Sequence, residues 1–352
     1  MLSGMSEEPL LPESAPPKRR AHDVYELPER VLQTYARVWQ LETWLRRMIY
    51  VELRAQLGDG WMNQVKFEKA ELPQKQDKAL VHMPSPEEDP LSYVQLSELL
   101  RIISANRRLF DPVLPPQKVW EGRMEEISQV RHRVAHFRQG NERDLDRVAH
   151  LLHDLDKGFW KFITSYNDKR QVLPQDGDPV FAHFLPLDLI PLVEIEPRQW
   201  AQIGSIPHDA WFGVSIAATV RPWAKWTEPV AGQEGIFYDA NIYLRGSRRR
   251  YFEYQNWLEN TRRLHQHVAH ICLEDHADSI RVTIPAILGA QQVTQIIDHM
   301  IDMARSSARP GEWPTYKGTI KSIAGEWPEY VLEPQHPLTL LTRDMPCSIF
   351  EA

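Results

Sequence analysis

Apolar residues recur at helical spacing through the first half of the chain and give way to β-branched and aromatic runs in the second. Residues 27 to 57, including VLQTYARVWQLETWLRRMIYVELRAQL, predict one long amphipathic helix that stops at Gly58, a natural C-cap. Residues 59 to 90 hold Gly, Pro and charged clusters, so a loop with short ordered pieces is expected before helical spacing resumes over 91 to 106. After Pro112, Pro115 and Pro116, the segment 117 to 138 reads as a third helix that Gly140 terminates. Asn141 is placed to cap a fourth, running to about Tyr166. Residues 23 to 167 therefore read as an all-α unit with antiparallel helices.

The turn-rich stretch over 168 to 179 has the composition of an interdomain linker. Beyond it, 211 to 220, 236 to 244, 267 to 275 and 278 to 287 carry strand-like content, 288 to 307 is helical, and a short strand is expected within 329 to 334. The expected fold class is thus α plus α+β: a helical bundle followed by a smaller α+β domain over 180 to 352. Residues 1 to 22 mix Pro, Glu and Ser with Lys18, Arg19 and Arg20 and are expected to form a disordered arm.

Composition narrows the setting. A chain of 352 residues can bury more than one ordinary core, in keeping with two units. No apolar run approaches the roughly 20 residues of a membrane span. Glu7 and Glu8 stand where a secretory leader carries positive charge. With only two cysteines, Cys272 and Cys347, a disulfide scaffold and a four-cysteine zinc ribbon are excluded, and a reducing cytoplasm is the expected location. The net charge of -7 argues against coating nucleic acid through global electrostatics, so any such contact must use a local basic patch.

VRHRVAHFR, residues 130 to 138, supplies such a patch at the end of the third helix. An imidazole can take the proton of a ribose 2′-hydroxyl or give one to a leaving 5′-oxygen, and a guanidinium can hold the phosphate between them. At about 100° per residue, positions 132 and 136 lie about 40° apart on the helical wheel, whereas 131 and 136 lie about 140° apart. A single rigid helix would therefore aim Arg131 and His136 differently. Either the helix ends near His136, or a second protomer completes the groove.

The R-x4-H pattern from Arg131 to His136, following LETWLRRMIYVEL and YVQLSELLRIISANRRLF, resembles the HEPN superfamily over roughly residues 25 to 167. That resemblance implies a HEPN-like four-helix bundle that pairs as a homodimer around one RNA-cleaving groove. It also implies metal-independent cleavage leaving a 2′,3′-cyclic phosphate and a 5′-hydroxyl, in toxin, antiphage or RNA-processing settings. Arg131 and His136 match the two defining positions. His132 takes the polar position that follows the arginine, which is often Asn.

On this reading Arg131, His132 and His136 are the candidate catalytic residues, with RNA as partner and neither metal nor cofactor. Glu42 and Arg46, at i, i+4 on the first helix, could reach the groove or form an ordinary surface ion pair. Arg133 and Arg138, with Arg143, could supply positive charge for phosphates or simply face solvent. A zinc-protease reading of His132 and His136 fails because Arg133 stands where that motif needs a glutamate.

His265, His267, His270 and His276, near Cys272, Glu274 and Asp275, are dense, and on a strand His265 and His267 would share a face. They lack a recognised ligand spacing and are expected to be satisfied or exposed. Arg248, Arg249 and Arg250 beside Tyr251, Phe252, Tyr254 and Trp257 could stack unpaired bases, yet a charged turn leading into buried aromatics is the expected reading. The α+β unit is assigned recognition of substrate, response to a protein regulator, or sensing of a signal. The alternatives are a catalytically silent HEPN-like module binding RNA or protein, and a toxin-neutralising or sensor component whose active half is the α+β unit.

Overall fold

The computed structural model describes residues 28–64, 68–82, 89–136, 138, 140–156, 171–172, 177–196, 199–202, 206–207, 209–225, 227–245, 249–312 and 320–333. The expected N-terminal arm, the fourth helix beyond 156, Arg248 and Cys347 lie outside them.

The first helix, α1 (Glu29–Leu57), runs through the middle of the molecule. Between Trp44 and Ala55 every residue except Arg46 is buried, so the expected amphipathic helix has no solvent-facing side in this half. Arg47, Tyr50 and Glu52 are buried there and bonded to the second unit. Its first turns do the reverse and leave Leu32, Tyr35 and Trp39 exposed.

Gly58 ends α1 with φ 53°, and a Cβ at this position would meet Ile287 Cγ2 at 2.9 Å. Both the left-handed backbone and the close approach require glycine. The segment expected to be a loop contains a 3-10 turn (Gly58–Gln64) and a polar helix, α2 (Glu68–Ala79). Sequence periodicity missed α2 because EKAELPQKQDKA has almost no apolar positions to set a phase.

Three helices pack on α1: α3 (Leu96–Ala105), which α4 (Arg107–Phe110) follows, α5 (Gln117–Ala135) and α6 (Asp144–Asp156). Each contributes one apolar stripe: Leu99, Ile102 and Ile103 from α3; Trp120, Met124, Ile127 and Val130 from α5; Val148, Leu151, Leu152 and Leu155 from α6. These meet Leu41, Leu45, Met48 and Ile49 of α1 in one core.

The second unit is built on a six-stranded mixed sheet of order β1-β4-β5-β8-β7-β10. Its strands are β1 (Gln171–Val172), β4 (Phe212–Val220), β5 (Ile236–Leu244), β7 (His270–Leu273), β8 (Ser279–Pro285) and β10 (Val331–Leu332). All neighbours are antiparallel except β10, which runs parallel to β7. The hairpin β2 (Leu192–Glu196) with β3 (Gln199–Gln202) and the pair β6 (Arg250–Phe252) with β9 (Ala308–Pro310) lie outside that sheet.

Four helices complete this unit: α7 (Pro179–Phe184), α8 (Tyr254–Thr261), α9 (Ala290–Ser307) and α10 (Ile320–Gly325). The apolar face of α9, including Val293, Ile297 and Met300, joins Ile242, Ile280 and Val282 of the sheet in a second core. The segment read as a linker holds β1, which pairs with β4, and Asp178, whose carboxylate caps α7.

The two units meet along the second half of α1. Phe237 of β5 and Ala269 pack into the helical core. Tyr50 donates to the Ala269 carbonyl at 2.6 Å, and Gly235 donates its N–H to the Ala55 carbonyl at 2.8 Å. Glu52 accepts from Arg221 Nη2 at 2.6 Å and from Trp223 Nε1 at 2.5 Å. Among the described residues no helix is long and apolar enough to cross a membrane.

Candidate active site at the end of the third core helix

The buried stripe of α5 fixes what its last turn shows to solvent. With Ile127 and Val130 turned inward, Arg131 lies on the flank and His132 outside. The helix stops at Ala135. His136 takes φ -102° and ψ 17° as the C-cap, and its N–H still reaches the His132 carbonyl at 3.3 Å. The Arg138 N–H then closes on the Arg133 carbonyl at 3.0 Å. This places the two imidazoles edge to face, centroids 4.5 Å apart and planes at 65°. Of the two arrangements the wheel angle allowed, the chain itself has the helix ending at His136.

Glu42 of α1 stands behind this pair. Its Oε1 accepts from Arg131 Nε at 3.1 Å and its Oε2 from Arg46 Nη2 at 2.8 Å. Arg46 is held further by the Leu91 carbonyl at 2.9 Å and the Val94 carbonyl at 3.4 Å. The carboxylate is therefore both an i, i+4 partner and a cross-helix clamp, and Arg46 is spent on structure. Arg131 remains 35% exposed, and its two Nη nitrogens have no partner among the described residues. They are the donors left for an incoming oxyanion.

Arg133 and Arg138 separate. Arg133 forms a two-point pair with Asp144, Nε to Oδ2 at 3.0 Å and Nη2 to Oδ1 at 2.6 Å. Asp144 is buried and also accepts the Asn141 N–H at 2.9 Å, so Arg133 ties the end of α5 to the start of α6 rather than facing a substrate. Arg138 is exposed beside the histidines. Partial loss of hydration, then the positive charges of His136, Arg138 and Arg131, hold His132 below the ordinary histidine range. Near neutral pH this imidazole is a proton acceptor.

The remaining candidates fall elsewhere. His265 and His267 sit on a 3-10 helix (Arg262–His267), not on a strand. His265 bonds to Thr261 and Tyr330, His267 to Asp59, and His270 packs on Tyr50. Among the described residues no group of three or more His, Cys, Asp or Glu side chains converges on a point that could hold a metal. Cys272 is buried, and burial pushes its thiol up to about 12. Phe252, Tyr254 and Trp257 are core residues, Arg249 pairs with Glu312, and Arg250 stacks over Trp211 at 4.5 Å. Arg250 lies on β6, and the aromatics Phe252, Tyr254 and Trp257 that follow it are buried.

Sequence reasoning did not find Asp144, although an acid three residues after Asn141 is a capping-box signal. Searches against protein-family models, curated proteins and solved structures find no match to this chain.

Proposed function

We propose that the chain is a metal-independent endoribonuclease of HEPN type, acting through Arg131, His132 and His136. The observation that carries this reading is the pair of imidazoles 4.5 Å apart at a helix end, beside a guanidinium held through one nitrogen by Glu42. In the reaction a ribose 2′-hydroxyl loses its proton and its oxygen attacks the adjacent phosphorus. The 5′-oxygen leaves with a proton, and the products carry a 2′,3′-cyclic phosphate and a 5′-hydroxyl. His132, kept neutral by its surroundings, suits the proton acceptor. His136 suits the donor or shares the transfer, and the Nη edge of Arg131 stabilises charge on the phosphate oxygens.

Attack and departure occur on opposite sides of phosphorus, whereas the two rings of one chain lie side by side. A second copy of the chain would supply the far side. The exposed stripe Leu32, Tyr35 and Trp39 leads along α1 to Glu42 and offers that copy an apolar surface next to the site. The second reading, a silent RNA- or protein-binding module, draws on the engagement of Arg131 by Glu42, which lowers the net positive charge of the patch. Incubation with single-stranded RNA in excess EDTA, with product ends mapped chemically, separates the two. Cyclic-phosphate ends support the nuclease; bound but intact RNA supports the module.

A further inference from the structure

Where α1 meets the second unit, a cavity of about 340 Å³ opens between Arg47, Arg54, Trp61, His265, Glu329 and Tyr330. It lies outside the candidate active site: Glu42 and Arg54 are 12 residues apart, about 18 Å along the helix.

Arg54 distinguishes this cavity. Its side chain is 2% exposed, its Nη1 donates to the Gly58 carbonyl at 3.3 Å and faces Asp59 Oδ1 at 3.5 Å. Its Nε and Nη2 are buried and, among the described residues, have no acceptor within hydrogen-bond geometry. These two nitrogens form one edge of the guanidinium, with parallel N–H groups spaced to match a carboxylate or phosphate. The neighbouring Tyr50 hydroxyl donates its proton to the Ala269 carbonyl, and its oxygen lies against the Arg54 guanidinium, which favours negative charge on it.

The acids of the wall already have cations or donors. Glu329 pairs with Arg47, Asp59 accepts from His267 as well as from Arg54, and Asp89 accepts the Leu91 N–H. Burial pushes His265 down to about 4, so it contributes a neutral ring near pH 7. Trp61, Tyr330 and that ring give the cavity flat apolar walls.

We propose that this cavity binds a small planar organic oxyanion, its carboxylate or phosphate seated on the Nε–Nη2 edge of Arg54 and its ring between Trp61 and Tyr330. Seating requires a small outward movement of the side chains that cover the Arg54 edge. The site rests on no part of the nuclease reading.

The test titrates the full chain with indole-3-carboxylate and with adenosine monophosphate, using indole and adenosine as uncharged controls. Binding is read by calorimetry and by the shift in melting temperature. One charged probe is expected to bind and its uncharged counterpart to bind about tenfold more weakly or worse; which one binds tells carboxylate from phosphate. Arg54→Lys keeps the charge but loses the two-point edge and is expected to weaken binding about tenfold or more. Met62→Glu, a substitution at an exposed rim residue, brings negative charge to the cavity without disturbing the core and is expected to weaken it likewise. His136→Ala leaves binding unchanged. The proposal is overturned if neither charged probe binds at about 5 mM, an affinity weaker than roughly 3 kcal/mol, or if binding survives both Arg54→Lys and Met62→Glu.

Discussion

Glu42 of α1 holds Arg131 of α5 through Nε at 3.1 Å while its other oxygen holds Arg46 at 2.8 Å. One buried carboxylate thus sets the direction of the guanidinium that the proposed reaction needs, and leaves its Nη nitrogens outward. Glu42→Gln keeps the shape but gives up charge-assisted bonding to both arginines. Cleavage is expected to fall about 10- to 100-fold, about 1.4 to 2.7 kcal/mol, mainly in kcat, because a misaimed Arg131 still attracts RNA but no longer meets the developing charge. Steady-state kinetics on a short RNA check this; an unchanged kcat with a raised KM would make Glu42 a binding residue only.

The titration of His132 carries a sign that can be measured. Its conjugate acid is disfavoured by lost hydration and by neighbouring positive charge, so its midpoint lies below the ordinary histidine value. The neutral form therefore persists to lower pH, and an activity that uses it as proton acceptor keeps its acidic limb on that side. Replacing the neighbours by His136→Asn or Arg138→Gln removes a positive charge and is expected to raise the midpoint. NMR titration of the imidazole Cε1 protons reports the direction in each variant; a midpoint that ignores both substitutions contradicts the electrostatic account.

The junction between the units depends on Glu52 and Arg221, whose side chains are 1% and 0% exposed. Removing one partner strands the other charge in a dry interior, so Arg221→Ala is expected to destabilise the chain by about 3–5 kcal/mol. Replacing both with apolar residues of similar size, Glu52→Leu with Arg221→Met, restores most of that loss, apart from the bond that Trp223 makes to Glu52. Denaturant unfolding of the two variants beside the parent makes the comparison.

Leu32, Tyr35 and Trp39 put three large apolar side chains in solvent on one side of α1. If they pair two copies of the chain, Trp39→Glu sets a desolvated charge into that contact and gives a monomer that retains its fold. Light scattering after size exclusion is expected to show a dimer for the parent and half that mass for the variant. A monomeric parent would remove the second copy from the proposed reaction.

The elements with a strong period were legible in the sequence. Gly58 marked the end of α1 and the bounds of β5 matched its β-branched and aromatic run, whereas α5 stops at Ala135, short of the expected 138 and Gly140. What the period could not convey was which polar residues are buried. Arg47, Glu52 and Arg54 read as the wet side of an amphipathic helix, yet their partners Glu329, Arg221 and Asp59 come from other segments, one of them 169 residues away. Likewise Arg46 and Arg133 looked available for phosphate. The Leu91 and Val94 carbonyls and Asp144 occupy them, and only the three-dimensional arrangement brings those acceptors near. Arg131 and His132 remained legible because they lie within one helical turn of His136 or of each other, where spacing alone fixes geometry.

The central claim is that Arg131, His132 and His136 cleave RNA without metal. The most direct measurement is the cleavage rate of a defined single-stranded RNA in excess EDTA for the parent, His136→Ala and Arg131→Ala, with each protein's folding checked by its melting temperature. The account predicts cyclic-phosphate ends from the parent and a loss of about 10²-fold or more in both variants. Cleavage that continues at the parental rate in folded His136→Ala, or that stops when EDTA is added, would contradict it.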